Sequence, residues 1–143
     1  MFVTFCVTRS DTFIGRSRAL LPLPAISLFR SPQDYFYERK RLPNLGSGDV
    51  AIFLVGAGLR HRPMSVLHEV YPPGADTGPQ MLSHAGEEGG VITKGKIEIT
   101  VAQRVKMLGP GDAYYFESRL PHRFRNRGTA PCEIISANSP PTF

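Results

Sequence analysis

His84, Glu88 and His122 are the residues of this 143-residue chain whose types and spacing best suit chemistry. His84 and Glu88 stand four positions apart in the run His-Ala-Gly-Glu-Glu. A tight turn between them would bring an imidazole and a carboxylate to one point, and Gly86 permits such a turn. His122 follows Pro121 and enters a short β-prone run that reaches Asn126. Two imidazoles and one carboxylate suit zinc, iron, manganese or nickel, and leave coordination positions open. The same residues fit a plainer arrangement, in which His84 hydrogen-bonds Glu88 and His122 caps a turn. His68 shares an alternation face with Met64, Val66 and Val70, and approaches the cluster only if that face points inward. His61, between Arg60 and Arg62, reads as a surface residue.

The elements that must position these residues are short strands. Gly and Pro make up 27 of 143 residues, about 19% against roughly 12% in average usage. So many breakers leave no room for long helices and point to turns between strands. Runs at residues 50–55, 64–71, 91–93, 96–101, 113–116, 123–126 and 132–137 read as strands. They recur at roughly 8–12-residue spacing, as in antiparallel sandwiches and barrels. Residues 80–84 are short and mixed. If extended, they set Gln80, Leu82 and His84 on one face. Gly89 and Gly90 either leave room for a ligand at a barrel mouth or mark a bulge. Tyr114, Tyr115 and Phe116 must divide between two faces.

The N-terminal third has a different character. Residues 1–7 are apolar and β-prone, and residues 21–29 are apolar and punctuated by proline. Ser31–Pro32 resembles an N-cap with proline at the first helical position, so a short helix is predicted over 32–41, stopped at Pro43. Residues 1–31 are rich in Arg and Ser with Asp11 their single acid, a composition shared with transit peptides. The expected organisation is an extension, residues 1–48, and one β-domain, residues 49–143. The extension would add strands to the sheets or cross to a second subunit. A two-fold homodimer is the expected assembly.

Charge and cysteine content narrow the classes. The net charge is +5, which admits nucleic acid or anionic ligands. The basic clusters lack the aromatic spacing of a base-stacking module. Residues 1–48 are too short and too rich in proline for a multi-helix DNA-binding unit, so no direct DNA binding is expected. The two cysteines, Cys6 and Cys132, form neither a disulfide framework nor a metal spacing. They suggest a reducing compartment, and no apolar run is long enough to span a bilayer, so the cytoplasm is the expected location.

Two ordered motifs sharpen the reading. Gly78, five residues, His84, three residues, Glu88, six residues and Gly95 resemble the first cupin motif. Gly111, ten residues, His122, three residues and Asn126 resemble the second, with a Pro-Gly-Asp turn at its start. The resemblance covers roughly residues 64–140. It is strongest to the small-molecule-sensing cupin domains that stand behind a helix-turn-helix in bacterial regulators. It implies an all-β fold, a double-stranded β-helix or jelly-roll barrel, here with an N-terminal extension containing one short helix. It also implies metal ligands at His84, Glu88 and His122. The first histidine of the family's His-x-His pair falls on Leu82, which cannot ligate. The proline and glycine before the last histidine fall on Glu117 and Arg119.

Gln80, Leu82, Gly90, Tyr114, Phe116 and Phe124 are then the expected pocket residues. Arg119, Arg123 and Arg125 lie close to His122 in sequence, so a small anionic molecule is the expected partner. Two functions stand beside each other. One is a small-molecule-binding cupin, with a divalent iron, manganese, nickel or zinc ion in the barrel. The other is a metal-dependent cupin enzyme of dioxygenase, isomerase or lyase type. A metal-free isomerase using His122 and a tyrosine is a third. The sequence leaves catalysis, ligand and metal identity open.

Overall fold

The fold is described from a computed structural model, for residues 35–142. The strands expected within 1–7 and 21–29, and most of the helix expected over 32–41, lie outside the described residues. The rest of that helix does not form. Residues 35–38 carry no helix, and only a single 3-10 turn follows at Arg39–Arg41. Its flanking residues Glu38 and Leu42 are extended, and no side chain caps it. Three consecutive basic residues with no buried face give a helix nothing to pack against.

Eight strands follow: β1 (Ala51–Val55), β2 (Ser65–Tyr71), β3 (Glu87–Lys94), β4 (Ile97–Val101), β5 (Arg104–Leu108), β6 (Ala113–Glu117), β7 (His122–Arg125) and β8 (Cys132–Ser139). They form two antiparallel sheets, ordered β1-β2-β8-β3-β6 and β5-β4-β7. This is the jelly-roll arrangement that the resemblance implied; turn richness and strand spacing by themselves pointed only to an antiparallel sandwich or barrel. Alternation decides what each strand buries. On β2, Ser65, Leu67, Glu69 and Tyr71 point inward. On β8, Cys132, Ile134, Ser136 and Asn138 do the same. Ile92, Ile134, Ile97 and Ile99 form the apolar contact between the sheets, joined by Phe124. Each such aliphatic side chain stabilises by about 1.5–3 kcal/mol.

One connection matters most for the site. Between β2 and β3 the chain runs along the free edge of β7. Thr77 N–H donates to Phe124 O at 3.1 Å, and Asn126 N–H donates to Ala75 O at 2.9 Å. Leu82 and His122 exchange a reciprocal backbone pair at 2.8 and 2.9 Å. Residues 78–86 are therefore bends held by one bridge, not the extended run of the sequence reading. Side chains there do not alternate. Gln80 ends up exposed, Leu82 is 39% exposed with part of its side chain on the cavity wall, and His84 is half-buried beside it.

A strand also forms where none was expected. β5 alternates in the reverse sense, with Arg104 and Lys106 on its inner side and Val105 and Met107 exposed. Among the described residues no helix is long and apolar enough to cross a membrane.

Candidate metal centre

His84 reaches Glu88 through Gly86. Gly86 has φ +98°, and a Cβ there would overlap the backbone of Ser139. Only glycine fits that turn, so the His-Ala-Gly-Glu-Glu spacing depends on it. The turn is pinned from the other side. His84 N–H donates to Ser118 O at 3.0 Å, and Ser118 N–H donates to Gly86 O at 2.8 Å. Glu88 then points inward as the second residue of β3, and His122 as the first of β7.

These placements bring three ligand atoms within 4.8 Å of one another. His84 Nε2 lies 3.6 Å from Glu88 Oε2, and His122 Nε2 lies 3.9 Å from the same oxygen. The two rings are 5.3 Å apart, nearly perpendicular at 81°. Each Nδ1 faces a backbone carbonyl: His122 that of Leu120 at 2.8 Å, His84 that of Ala85 at 3.2 Å. A proton held on Nδ1 leaves the Nε2 lone pair directed at the cluster, the tautomer a metal requires. His122 Nε2 is buried without a hydrogen-bond partner. A buried nitrogen of this kind costs free energy unless something accepts its lone pair. The residues present thus fit a divalent cation.

The electrostatics agree. Burial pushes the His122 pKa down, and the neighbouring His84 adds to this, while the Leu120 carbonyl opposes it. The ring is therefore neutral at pH 7, as a ligand must be. Glu88 is pushed up to about 7, first by burial and then by the charge of Glu69, with the Tyr114 hydroxyl opposing. Tyr114 donates to Glu88 Oε1 at 3.2 Å, which leaves Oε2 for the histidine side. A bound cation would favour the ionised carboxylate.

A cavity of about 170 Å³ opens beside the cluster. Leu82, His84, Glu88, Tyr71 and Phe124 are in its wall, with Glu69 deeper in. Asn138 closes it near the chain end, donating to Thr142 Oγ1 at 2.9 Å. No lysine or arginine lines it.

Glu69 is the residue that the sequence did not single out. It is 6% exposed and points inward from β2. Tyr71 donates to its Oε2 at 2.7 Å, and the Ser136 hydroxyl donates to its Oε1. Burial holds its carboxyl above the ordinary value, with both hydroxyl contacts and His68 pulling the other way. The only signal available was Tyr71 two positions on, which shares its face. His68 takes the opposite face, where it pairs with Glu133 at 3.1 Å and lies 5.9 Å from the Phe53 ring. It does not approach the cluster.

Glu69 carries a testable pH dependence. A carboxyl whose folded pKa lies above its unfolded one binds a proton more tightly when folded. Its contribution is fully present below the unfolded pKa and is lost as pH rises through the folded one. Glu69→Gln keeps the shape and removes the charge. In a chelator, its Tm is expected to match the parent below pH 4.5 and to exceed it increasingly from there to pH 8. A gain of about 1 kcal/mol would raise Tm by roughly 4 °C. Equal pH slopes for the two proteins would refute this.

The other expected pocket residues divide. Phe124 lines the cavity. Phe116 packs on the His122 ring at 5.0 Å. Tyr114 and Phe116 point inward, while Tyr115 is 71% exposed. Gly90 does not open space for a ligand. A Cβ there would lie 2.7 Å from the Tyr114 hydroxyl oxygen, so the Tyr114 ring end fills the room. Nor do Gly89 and Gly90 form a bulge. Their pairing is regular on both sides, and the register shift falls between Ile92 and Lys94. The glycines accommodate the tyrosine rings of β6, a known way to cover glycine in a sheet.

The arginines near His122 also turn away. Strand alternation sends His122 and Phe124 inward and Arg123 and Arg125 outward. Arg125 pairs with Asp76 at 3.2 Å, Arg123 donates to Pro79 O, and Arg119 is exposed. They give this cavity no anion-binding character.

Residues 67–138 match the family model for the cupin domain. The chain belongs to the cupin family. The chain is also 36% identical over 102 residues to the HTH-type transcriptional regulator PuuR of Escherichia coli strain K12. The match covers 71% of this chain and 55% of PuuR, so the chain spans about half the length of that relative. It is similar in fold to the cupin domain of an XRE family transcriptional regulator from Enterobacter cloacae, with TM-score 0.57 and 18% identity. That likeness covers 64% of this chain and 97% of the other. An RmlC-like cupin from Shewanella frigidimarina gives TM-score 0.64 at 15% identity, over 75% of this chain and 91% of that one.

As a cupin, the chain departs from the second motif without losing its turn. Glu117 and Arg119 replace proline and glycine, yet Leu120 N–H still donates to Glu117 O at 3.0 Å and Ser118 is fully buried. Asn126 holds the following loop. Its side chain donates to Tyr71 O at 2.8 Å and Ala130 O at 2.9 Å.

Proposed function

We propose that this cupin binds a small molecule at a divalent transition metal held by His84, Glu88 and His122. The observation that carries the reading is the pair of Nε2 atoms turned on Glu88 with both Nδ1 atoms facing backbone carbonyls. Iron, manganese, nickel and zinc all accept two imidazoles and a carboxylate. When bound, such an ion supplies Lewis-acid character and exchangeable coordination positions. The chain's own residues do the rest. Tyr114 orients Glu88 through Oε1, Phe116 fixes the His122 ring, and Leu82 and Phe124 wall the cavity. Glu69 and Glu88 give that cavity acidic character, which favours a cation over an anion in it.

The likeness to regulators supports a binding role over catalysis. A homodimer remains part of the proposal, and sedimentation showing only monomer at micromolar concentration would remove it. The central test is metal analysis after reconstitution with each of the four ions in turn. One ion per chain is expected for at least one metal, and none with any metal would refute the reading. Leu82 lines the same cavity, so Leu82→His is expected to raise metal affinity about tenfold by supplying a fourth ligand. Unchanged affinity would show that this position does not face the ion.

A further inference from the structure

A second cavity shares Tyr114 and Phe116 with the surroundings of the metal centre but has none of its three ligands in its lining. Among the described residues, β5 and β6 each end their sheet. Between them runs a groove of about 810 Å³, within the size range of small-molecule sites. Ile99, Val101 and Leu108 line it from one sheet, and Tyr114 and Phe116 from the other.

Two cations stand over this apolar lining. Arg104 lies opposite Val101 and Lys106 opposite Ile99 in the β4–β5 register. Directly opposed residues share a face. Ile97 and Ile99 are buried, so Arg104 and Lys106 rise from the sheet's inner side rather than its solvent side. Both also line the groove, and no aspartate or glutamate does. Neither cation has an ion-pair partner among the described residues, whereas Arg125 and Arg127 on the outer face are paired with Asp76 and Glu98. Unpaired cations beside an apolar floor complement an anion that carries an apolar body.

We propose that the groove between β5 and β6 binds a small amphipathic carboxylate. Its apolar body rests on Ile99, Val101 and Leu108, and its carboxylate lies between Arg104 and Lys106. None of His84, Glu88 and His122 lines this groove, and the charge is opposite to that of the metal-side cavity. The rival occupant is a second copy of the chain docked on the same free edges.

The test titrates the full chain, in a chelator, with 2-naphthoate and with its uncharged amide. The acid is expected to bind about tenfold more tightly, the difference one charged hydrogen-bonded pair supplies. The double variant R104Q/K106Q should lose that advantage while its affinity for the amide stays unchanged. Both side chains are exposed, so the variant keeps its core. His84→Ala should leave both affinities as they were, which separates this site from the metal centre. No binding of the acid, equal affinity for acid and amide, or an unchanged double variant would overturn the proposal. So would a weaker acid affinity in His84→Ala. Sedimentation decides the rival: a dimer that R104Q/K106Q converts to monomer assigns the groove to a second copy and overturns the ligand.

Discussion

His122→Ala is expected to lower metal affinity by at least about 100-fold, and Glu88→Ala by a similar factor. Changes to residues that merely support a ligand already cost about 10–100-fold, and these two side chains are the ligands themselves. The effect of His122 follows from its anchoring. Its ring is buried, held by the Leu120 carbonyl on one nitrogen, and offers the other to the cluster. Water in its place would bring no such orientation. The measurement is metal content after exhaustive dialysis, with circular dichroism to establish that each variant folds. His84→Ala is a useful third variant, because His84 sits nearer the surface and its loss disturbs the core less. Variants that retain stoichiometric metal would exclude these residues as ligands.

Gly86→Ala is expected to destabilise the protein by about 2–4 kcal/mol and to weaken metal binding at the same time. The stability cost has two sources. The backbone adopts φ +98°, which an L side chain resists, and the added Cβ would overlap the Ser139 backbone and lie 2.6 Å from Pro140 Cδ. Gly111→Ala separates the two sources. Gly111 has φ +87°, but nothing lies within 4 Å of an added Cβ. It should cost only about 1 kcal/mol. The functional loss follows because the turn at Gly86 sets His84 against Glu88. Equal Tm changes in the two variants would show that the contact with Ser139 is unimportant.

The grouping of His84, Glu88 and His122 was legible through the two spaced motifs and their likeness to cupin motifs more than through spacing alone. The glycine between His84 and Glu88 permits the turn, and Ser118 holds it. Most strands were legible as short β-prone runs between turn signals rather than by alternation, since β2 and β8 turn Ser65, Glu69, Ser136 and Asn138 inward and leave Val66, Val70 and Ile135 on the other face. β5 alternates between Arg104, Val105, Lys106 and Met107 but was passed over, being a five-residue run set directly against the turn at residues 108–112, and its apolar residues face outward. The early half of β3 was hidden by Gly89 and Gly90, which read as breakers until the Tyr114 and Tyr115 rings are seen to cover them. Glu69 was hidden by its type, since an isolated acid in a strand reads as solvent-facing. Its hydroxyl partners, Tyr71 and Ser136, meet only when β2 and β8 pair. The arginines near His122 misled because nearness in sequence says nothing of facing within a strand.

Thr142 has a practical consequence. It lines the metal-side cavity and is bonded to Asn138 there. A polyhistidine affinity tag appended after residue 143 would therefore begin beside the cluster and offer its own imidazoles to the ion. Metal stoichiometry measured on such a fusion would mix two binding sites. Removing the tag before the measurement keeps the foreign ligands out of the count.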